Sequence, residues 1–221
     1  MAEPKFIPET FQAQANSIAT YSYTDIADGT GKQIFYGFQT KTSAGTKYNL
    51  STIALYSSTI ELALAAIPGS GSGAYSDVFD LDFDLPEFNL PKTIKGTALV
   101  VVPIYMNEGG AVAFMKVQAL VRKWDGTTET EIANATSAEY SATGVYIATF
   151  PVTIPETHFK AGEPLRVTLK LQGKEFSGDV TGVTMALDPM DRDGTYIIPS
   201  TAEVTTQVIF HIPFKLTELG Y

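Results

Sequence analysis

Alternation of apolar and polar side chains is the feature that most constrains the fold of this chain. In the segment PLRVTLKLQG, the apolar residues Leu165, Val167, Leu169 and Leu171 take every second position. Polar residues stand between them, so one face of the segment is apolar and the other is polar. A period of two is typical of a β-strand with one buried face and one face in water. We therefore predict that these four side chains point into a core.

Further segments of similar character run along the chain. Their sequences are KQIFYGFQ, KYNLSTIALY, SDVFDLDFDL, TIKGTALVVVPIYM, AVAFMKVQALVRKW, TTETEIA, GVYIATFPVTI and EVTTQVIFHIPFKL. Turn sequences such as DGTG, NEGG and WDGT separate them. The segment SSTIELALAAIPG is ambiguous, because Ser58 and Glu61 have the spacing of a helical capping box while its apolar residues also alternate. We favour a strand there.

These segments predict an all-β protein, an antiparallel β-sandwich of jelly-roll-like topology with about eight to ten strands. A long connection over 173–203 favours Greek-key or jelly-roll wiring over an up-and-down barrel. The first residues differ in character, since Pro4 and Pro8 oppose an early helix. We predict an extended N-terminal arm over residues 1–24 and a single β-sandwich domain over residues 25–221.

Composition excludes several classes of partner and chemistry. The chain has 15 basic and 24 acidic residues, a formal net charge of −9, and this balance opposes binding to phosphate backbones. There is no cysteine, which excludes disulfides and thiolate metal sites. The most apolar run, ALVVVPIYM, is too short to span a bilayer, and the N-terminus lacks the pattern of a signal peptide. We therefore expect neither nucleic acid nor a membrane as a partner.

Candidates for catalysis are few. A general base would have to come chiefly from His158 or His211, and we interpret both as structural or surface histidines. The stretch GSGSG at 69–73 lacks serine at the third position, where a nucleophile elbow requires it. We therefore predict no catalytic residues, no cofactor and no enzymatic activity.

The stretch FDLDFDL places three carboxylates on one face of a predicted strand. Asp80, Asp82 and Asp84 alternate there with apolar residues. Three such groups repel one another unless they are solvated, paired or bound to a cation. We favour a solvated face or a guard against edge-to-edge pairing.

The loop sequence DPMDRDG offers the only candidate for a metal site. Asp188, Asp191 and Asp193 precede a glycine there, and loops rich in oxygen ligands can hold Ca²⁺. The loop lacks the regular ligand positions of an EF-hand. We favour a turn without metal and keep Ca²⁺ as the one candidate ion.

Exposed aromatic rings would support a carbohydrate-binding alternative. The candidates are Tyr21, Tyr23, Tyr36, Tyr56 and Tyr75. Packing in the core and at interfaces explains most tyrosines better.

Four stretches together resemble virion structural proteins of tailed bacteriophages. They are FPVTIPETHFKAGEPLRVTLKLQG, TTQVIFHIPFKLTEL, YSYTDIADGTGKQIFYGF and VRKWDGTTETEI. Such proteins are β-sandwich or jelly-roll modules that decorate heads or build fibres. The resemblance implies a virion location, a role as a capsid decoration or minor capsid component, and other virion proteins, a major capsid or fibre protein, as partners. It implies no catalytic residues, and it leaves a carbohydrate-binding or host-attachment module as the alternative.

The N-terminal arm carries three large apolar residues, Phe6, Ile7 and Phe11. Leaving them in water would forgo several kcal/mol of burial. An extended arm could pack on the body of the protein or on a neighbouring subunit, and a frayed terminus is the alternative. We expect the arm to lie across a neighbouring subunit or a second virion protein. A homo-oligomer, with a trimer as one option, would satisfy this expectation.

Overall fold

The computed structural model describes most of the chain. The described residues are 19–20, 30–64, 67, 74–107, 112–125, 127–141, 143–177, 181–192 and 205–215. They form strands, turns and loops, and none of them lies in a helix. Within these ranges there is accordingly no helix long and apolar enough to cross a membrane. The prediction of an all-β protein is confirmed.

Thirteen strands make up the described fold. They are β1 Ala19–Thr20, β2 Thr30–Thr42, β3 Gly45–Ser51, β4 Glu61–Leu64, β5 Ser76–Asp84, β6 Lys92–Asn107, β7 Val112–Trp124, β8 Glu129–Thr136, β9 Tyr140–Ser141, β10 Gly144–Phe159, β11 Leu165–Ser177, β12 Thr181–Ala186 and β13 Val208–Lys215. The predicted strands are present, and the ambiguous segment is a strand, β4, as we favoured.

Hydrogen bonds join the strands in the order β4-β12-β6-β13-β2-β3-β5-β11-β7-β8, with β1 on β2, β10 on β6 and β9 on β7. All pairings are antiparallel except a short parallel contact between β3 and β5. Strands that are not neighbours in this order also come into contact. Phe83 of β5 and Phe210 of β13 are separated by two strands along the path, yet their ring centroids lie 5.7 Å apart. Parts of the sheet that are distant along the path therefore pack against each other, which is compatible with a β-sandwich.

One cluster of buried apolar side chains forms the main core of the described residues. Leu165, Val167, Leu169 and Leu171 of β11 are fully buried in it, as their alternation predicts. The same cluster contains inward-facing residues of β6, β7, β10 and β13. The core thus comes from strands spread along most of the described chain.

Two strand boundaries differ from the prediction. The segment KYNLSTIALY stops being a strand at Ser51, whose hydroxyl accepts a hydrogen bond from the amide of Ile53 and turns the chain. The supposed long connection over 173–203 contains the end of β11 and all of β12. β12 was missed because its sequence, TGVTMA, is short and rich in small residues.

The division into an arm and a domain stays a prediction. Residues 1–18 and 21–29 lie outside the described residues. Phe6, Ile7 and Phe11 are among them.

Candidate functional site

The outer face of β5, β11, β7 and β8 carries a ladder of ion pairs. Arg166 of β11 binds Asp84 with two hydrogen bonds, Nε to Oδ1 at 2.6 Å and Nη2 to Oδ2 at 2.9 Å. Arg166 also pairs with Glu129 of β8, and Arg122 of β7 donates to the same carboxylate at 2.8 Å. The bonds to Asp84 raise the pKa of Arg166 above its ordinary value.

The ladder continues toward the other end of β11. Lys170 Nζ lies 2.8 Å from Asp77 Oδ2 and 3.0 Å from Asp80 Oδ2. The hydrogen bond from Lys170 lowers the pKa of Asp77. The hydroxyl of Thr168 donates to Asp82 at 2.6 Å. The structure therefore brings Asp80, Asp82 and Asp84 onto one face, as predicted, and surrounds them with cationic and hydroxyl partners.

A group of aromatic and lysine side chains follows the ladder on the same face; we call it the aromatic–lysine patch. It consists of Tyr75, Phe114, Lys116, Glu139, Lys174 and Phe176. The rings of Phe114 and Phe176 meet edge to face, with centroids 5.8 Å apart. The phenyl ring of Phe176 is exposed, with 51% of its surface in solvent.

Both lysines of the patch are held by rings. Lys116 Nζ lies 3.9 Å from the ring centroid of Tyr75, and Lys174 Nζ lies 4.7 Å from the centroids of Tyr75 and Phe114. Lys174 also pairs with Glu139 at 2.8 Å, and Tyr75 donates a hydrogen bond to the same carboxylate. Burial and the bond to Glu139 raise the pKa of Tyr75, which keeps the phenol protonated. Both lysines of the patch are thus held by contacts within this chain.

Sequence reasoning missed this patch, although a signal for it exists. The alternation in β11 continues past Gly173, which puts Lys174 and Phe176 on the polar face. The same alternation in β7 puts Phe114 and Lys116 beside them. Extending both patterns to the strand ends would have found the patch.

A groove of about 880 Å³ opens between β2, β3 and the loop that follows β5. We call it the apolar groove. Phe35, Leu50 and Phe214 are among its lining residues. Leu55 and Leu90 also line it, and 36% and 61% of their respective surfaces lie in solvent. Exposed apolar surface in a concave site makes the groove a candidate binding site for another chain or a ligand.

The loop predicted as a candidate Ca²⁺ site is closed by an arginine. The carboxylate of Asp188 is fully buried and accepts hydrogen bonds from Arg192 Nε at 2.8 Å and Nη2 at 2.9 Å. Asp191 accepts from the amide and hydroxyl of Thr206 instead. Asp193 lies outside the described residues. Over the described ranges, no group of three or more His, Asp or Glu side chains could hold a metal ion.

The two histidines lie in different places and have different partners. His158 Nδ1 is 3.0 Å from the hydroxyl of Thr93. His211 lies on the outer side of β13, where burial and the nearby charge of Lys32 lower its pKa.

The candidate sugar-binding tyrosines have separate surroundings. Among the described ones, Tyr56 is the most exposed, with 68% of its surface in solvent, and its ring stacks on Arg192 at 4.2 Å. Tyr75 belongs to the aromatic–lysine patch, and Tyr36 is half-buried on β2. Tyr21 and Tyr23 lie outside the described residues.

Neither a protein-family model nor a curated protein sequence matches this chain. Among solved structures, a CocE/NonD family hydrolase from Staphylococcus aureus matches 83% of this chain and 36% of its own length, at 11% identity and a TM-score of 0.48. A chain of the infectious bursal disease virus Gx strain matches 89% of this chain and 51% of its own length, at 10% identity and a TM-score of 0.32. A pentameric capsid protein from metagenomic phage sequences matches 56% and 72%, at 19% identity and a TM-score of 0.15.

These matches correct one expectation. We expected the chain not to be an enzyme, and the hydrolase match contradicts that expectation. This chain spans about a third of the hydrolase's length, 36%, so none of its site residues is carried over. The matches to the two viral proteins likewise assign no role and no site residue to this chain.

Proposed function

We propose that this chain is a structural component of a phage particle, a capsid decoration or minor capsid protein. We propose further that it attaches to another virion protein through the aromatic–lysine patch. The stretches that resemble tailed-phage virion proteins support the role. The observation that carries the proposal is the exposed ring of Phe176 beside two lysines already fixed in place.

The chemistry of the patch suits a protein contact. Binding energy at interfaces is concentrated in a few aromatic and cationic side chains at the centre of the contact. Ordering flexible side chains costs about 0.5–1.5 kcal/mol each on association. Lys174 avoids much of this cost, because Glu139 and the surrounding rings already hold it. The partner surface should offer an apolar pocket for Phe176 and a carboxylate for Lys116.

Co-sedimentation with purified particles that lack this protein tests the proposal. Phe176→Asp should weaken attachment by about 30-fold or more, which corresponds to a hot spot of about 2 kcal/mol. The matched control is Ile147→Asp, because Ile147 is similarly exposed, at 46%, but lies on β10 outside the patch. The control should attach like the wild type.

Two results would refute the proposal. One is attachment of Phe176→Asp with unchanged affinity and stoichiometry. The other is the absence of this chain from particles purified to homogeneity and analysed by mass spectrometry.

A second candidate function is a carbohydrate-binding or host-attachment module. The exposed ring of Tyr56 favours it, since sugars stack on exposed aromatic rings and Arg192 fixes this ring in place. Selective binding on a glycan array that Tyr56→Ala abolishes, with particle attachment intact, would support this second function. If the protein binds no glycan on the array, the carbohydrate-binding function is refuted and attachment to a virion protein remains as the proposed function.

A further inference from the structure

Four neighbouring strands carry a band of apolar side chains on the side that points away from the core. In β10, β6, β13 and β2, the inward positions belong to the core cluster, so the alternate positions point outward. One outward row crosses the four strands and consists of Thr149, Val101, Ile209 and Tyr36. The next row consists of Pro151, Leu99, His211 and Ile34. We call these two rows, together with the neighbouring Ile147, the outer apolar face.

The outer apolar face is in contact with solvent. Ile147 exposes 46% of its surface, Thr149 and Pro151 are exposed, and the other members are half-buried. Burial and the charge of Lys32 lower the pKa of His211, so its imidazole is neutral at pH 7. The solvent side of an antiparallel sheet is normally polar, as it is in the ladder of β5, β11, β7 and β8. An apolar solvent side is therefore a candidate interaction surface.

Negative charge is scarce on these four strands. They contain a single acidic residue, Glu156, although the whole chain has 24 and a formal net charge of −9. Glu156 lies at one end of the face, where it pairs with Lys95 at 3.3 Å and with Lys215. Two copies of an acidic chain repel each other, and contact through this face brings few carboxylates together. These features favour a second copy of this chain as the partner.

The pairing of β6 defines the two ends of this side of the sheet. β10 covers one edge of β6 along its whole length, so β13 and β12 share the other edge. β13 pairs with β6 between Ile94 and Val101, and β12 pairs with it between Ile104 and Asn107. Beyond them lie β2 and β4, each two strands away from β6. β2 and β4 are therefore at the same lateral position but toward opposite ends of the face.

A cation and a carboxylate occupy these two places. Lys32 lies on β2 and points outward, because it is two residues from Ile34. Glu61 lies on β4 opposite Ala186, and it points outward because its neighbour Leu62 packs on the core. Their levels along the sheet differ by about six residues, and a strand covers about 3.4 Å per residue, so about 20 Å separates them. They therefore form no ion pair within one copy.

We propose that two copies of this chain form a dimer by packing through the outer apolar face about a two-fold axis. The axis lies in the plane of contact, crosses the strands between the two rows, and so reverses the direction of each strand. Lateral position is kept, which brings Lys32 of one copy opposite Glu61 of the second copy, twice in the dimer. The strands of the two sheets then run within about 30° of each other, as in aligned sheet packing.

The area of the face is sufficient for a weak dimer. Four strands about 4.8 Å apart and about 27 Å of strand length give roughly 500 Å² per copy. The pair buries about 1,000 Å², which is the lower limit for a biological interface. An apolar centre with a charged rim is also the usual anatomy of such an interface. We therefore expect a dimer that dissociates on dilution.

This inference does not rest on the proposed function. The outer apolar face and the aromatic–lysine patch share no strand. A variant that cannot dimerise therefore keeps the patch, and its attachment to particles should be unchanged. The dimer uses strands of the sheet, in contrast to the expectation that the N-terminal arm joins the subunits.

Sedimentation velocity of the full-length protein over a dilution series tests the dimer. The wild type should shift from dimer to monomer on dilution. Lys32→Glu and Glu61→Lys should each weaken dimerisation by at least about tenfold, because like charges then face each other twice. The matched control is Lys41→Glu, because Lys41 is exposed on the same strand but points to its other side. The control makes the same change in charge and should dimerise like the wild type.

Exchange of the two charges tests which residues meet. Combining Lys32→Glu with Glu61→Lys in one chain should restore dimerisation. Mixing the two single variants should restore it as well, because each mixed dimer then holds two pairs of opposite charge. Restoration in the mixture requires contact between two copies.

Three results would overturn the proposal. One is a monomer at every concentration, which would leave the face to a different partner. Another is an oligomer that neither single substitution weakens. The third is a mixture of the two single variants that associates no better than either variant alone.

Discussion

Arg192→Ala should destabilise this protein strongly, because it leaves a buried carboxylate without its cation. Asp188 is fully buried, and Arg192 donates to both of its oxygens at 2.8 and 2.9 Å. The same guanidinium donates to the carbonyl of Ser57 at 2.9 Å and stacks on the ring of Tyr56. One side chain thus joins two loops that are far apart in sequence.

The magnitude follows from what remains after the substitution. Removing one partner of a buried ion pair costs about 3–5 kcal/mol. Two backbone amides, of Met190 and residue 192, still donate to Asp188 at 3.3 and 2.7 Å, and the side chain of Arg192 is 28% exposed, so water can enter its place. We therefore expect Arg192→Ala to lower the free energy of unfolding by about 3 kcal/mol, the low end of that range. For a chain of this size this corresponds to a fall of about 6–12 °C in the melting temperature.

Urea unfolding of a double-mutant cycle tests the reasoning. Asp188→Asn combined with Arg192→Ala should recover much of the loss, because the unpaired charge is gone. The control is Lys95→Ala, which breaks an exposed pair with Glu156 and should cost less than about 1 kcal/mol. A cost for Arg192→Ala as small as the control's would refute the idea that this pair locks the loops. Additive effects in the cycle would refute it as well.

The other predictions concern the core, the ladder and one close approach. Leu169→Asp should unfold the protein, whereas Leu169→Met should cost less than about 1.5 kcal/mol. Far-ultraviolet circular dichroism retained by Leu169→Asp would mean that the side chain is not in the core. The lowered pKa of Asp77 means that its bond to Lys170 stabilises the fold at neutral pH and that this stabilisation is lost as the pH falls through the lowered pKa. In Asp77→Asn the free energy of unfolding should therefore fall less steeply as the pH is lowered. An unchanged profile of urea midpoints between about pH 7 and 3 would contradict this. A Cβ at Gly173 would lie 2.7 Å from Ile67, so Gly173→Ala should cost about 1–3 kcal/mol. Adding Ile67→Ala to Gly173→Ala should remove most of the cost of the Gly173 substitution. If Gly173→Ala left the free energy of unfolding unchanged, residues 67 and 173 would not be in contact.

The inward face of β11 could be predicted because its alternation is local. Leu165 and its three apolar partners face one way whatever the rest of the chain does, since successive strand side chains point to opposite faces. Whether the opposite face meets water is not a local property. Thr168 lies on the polar face, yet it is fully buried, because neighbouring strands place Asp82 and Leu120 beside it.

The acidic ladder shows the same division. The sequence puts Asp80, Asp82 and Asp84 on one face of a strand, and the structure agrees. Their partners on β11 are more than 80 residues away along the chain, as in the case of Arg166 and Asp84. No spacing within β5 indicates that β11 lies beside it, so the pattern alone predicts a solvated face and misses the ion pairs.

The sequence by itself determined that this chain is all-β, that the apolar face of β11 points into the core, and where most strands lie. These properties depend on backbone geometry and on the period of neighbouring residues, which act over a few positions. The tertiary structure alone decided which strands pair and that Arg192 forms an ion pair with Asp188. It also decided that Lys174 and Phe176 lie beside Tyr75 and Lys116. Those contacts join residues that are distant in sequence, and their energies depend on distance and burial, which exist only once the sheet has curled around its core.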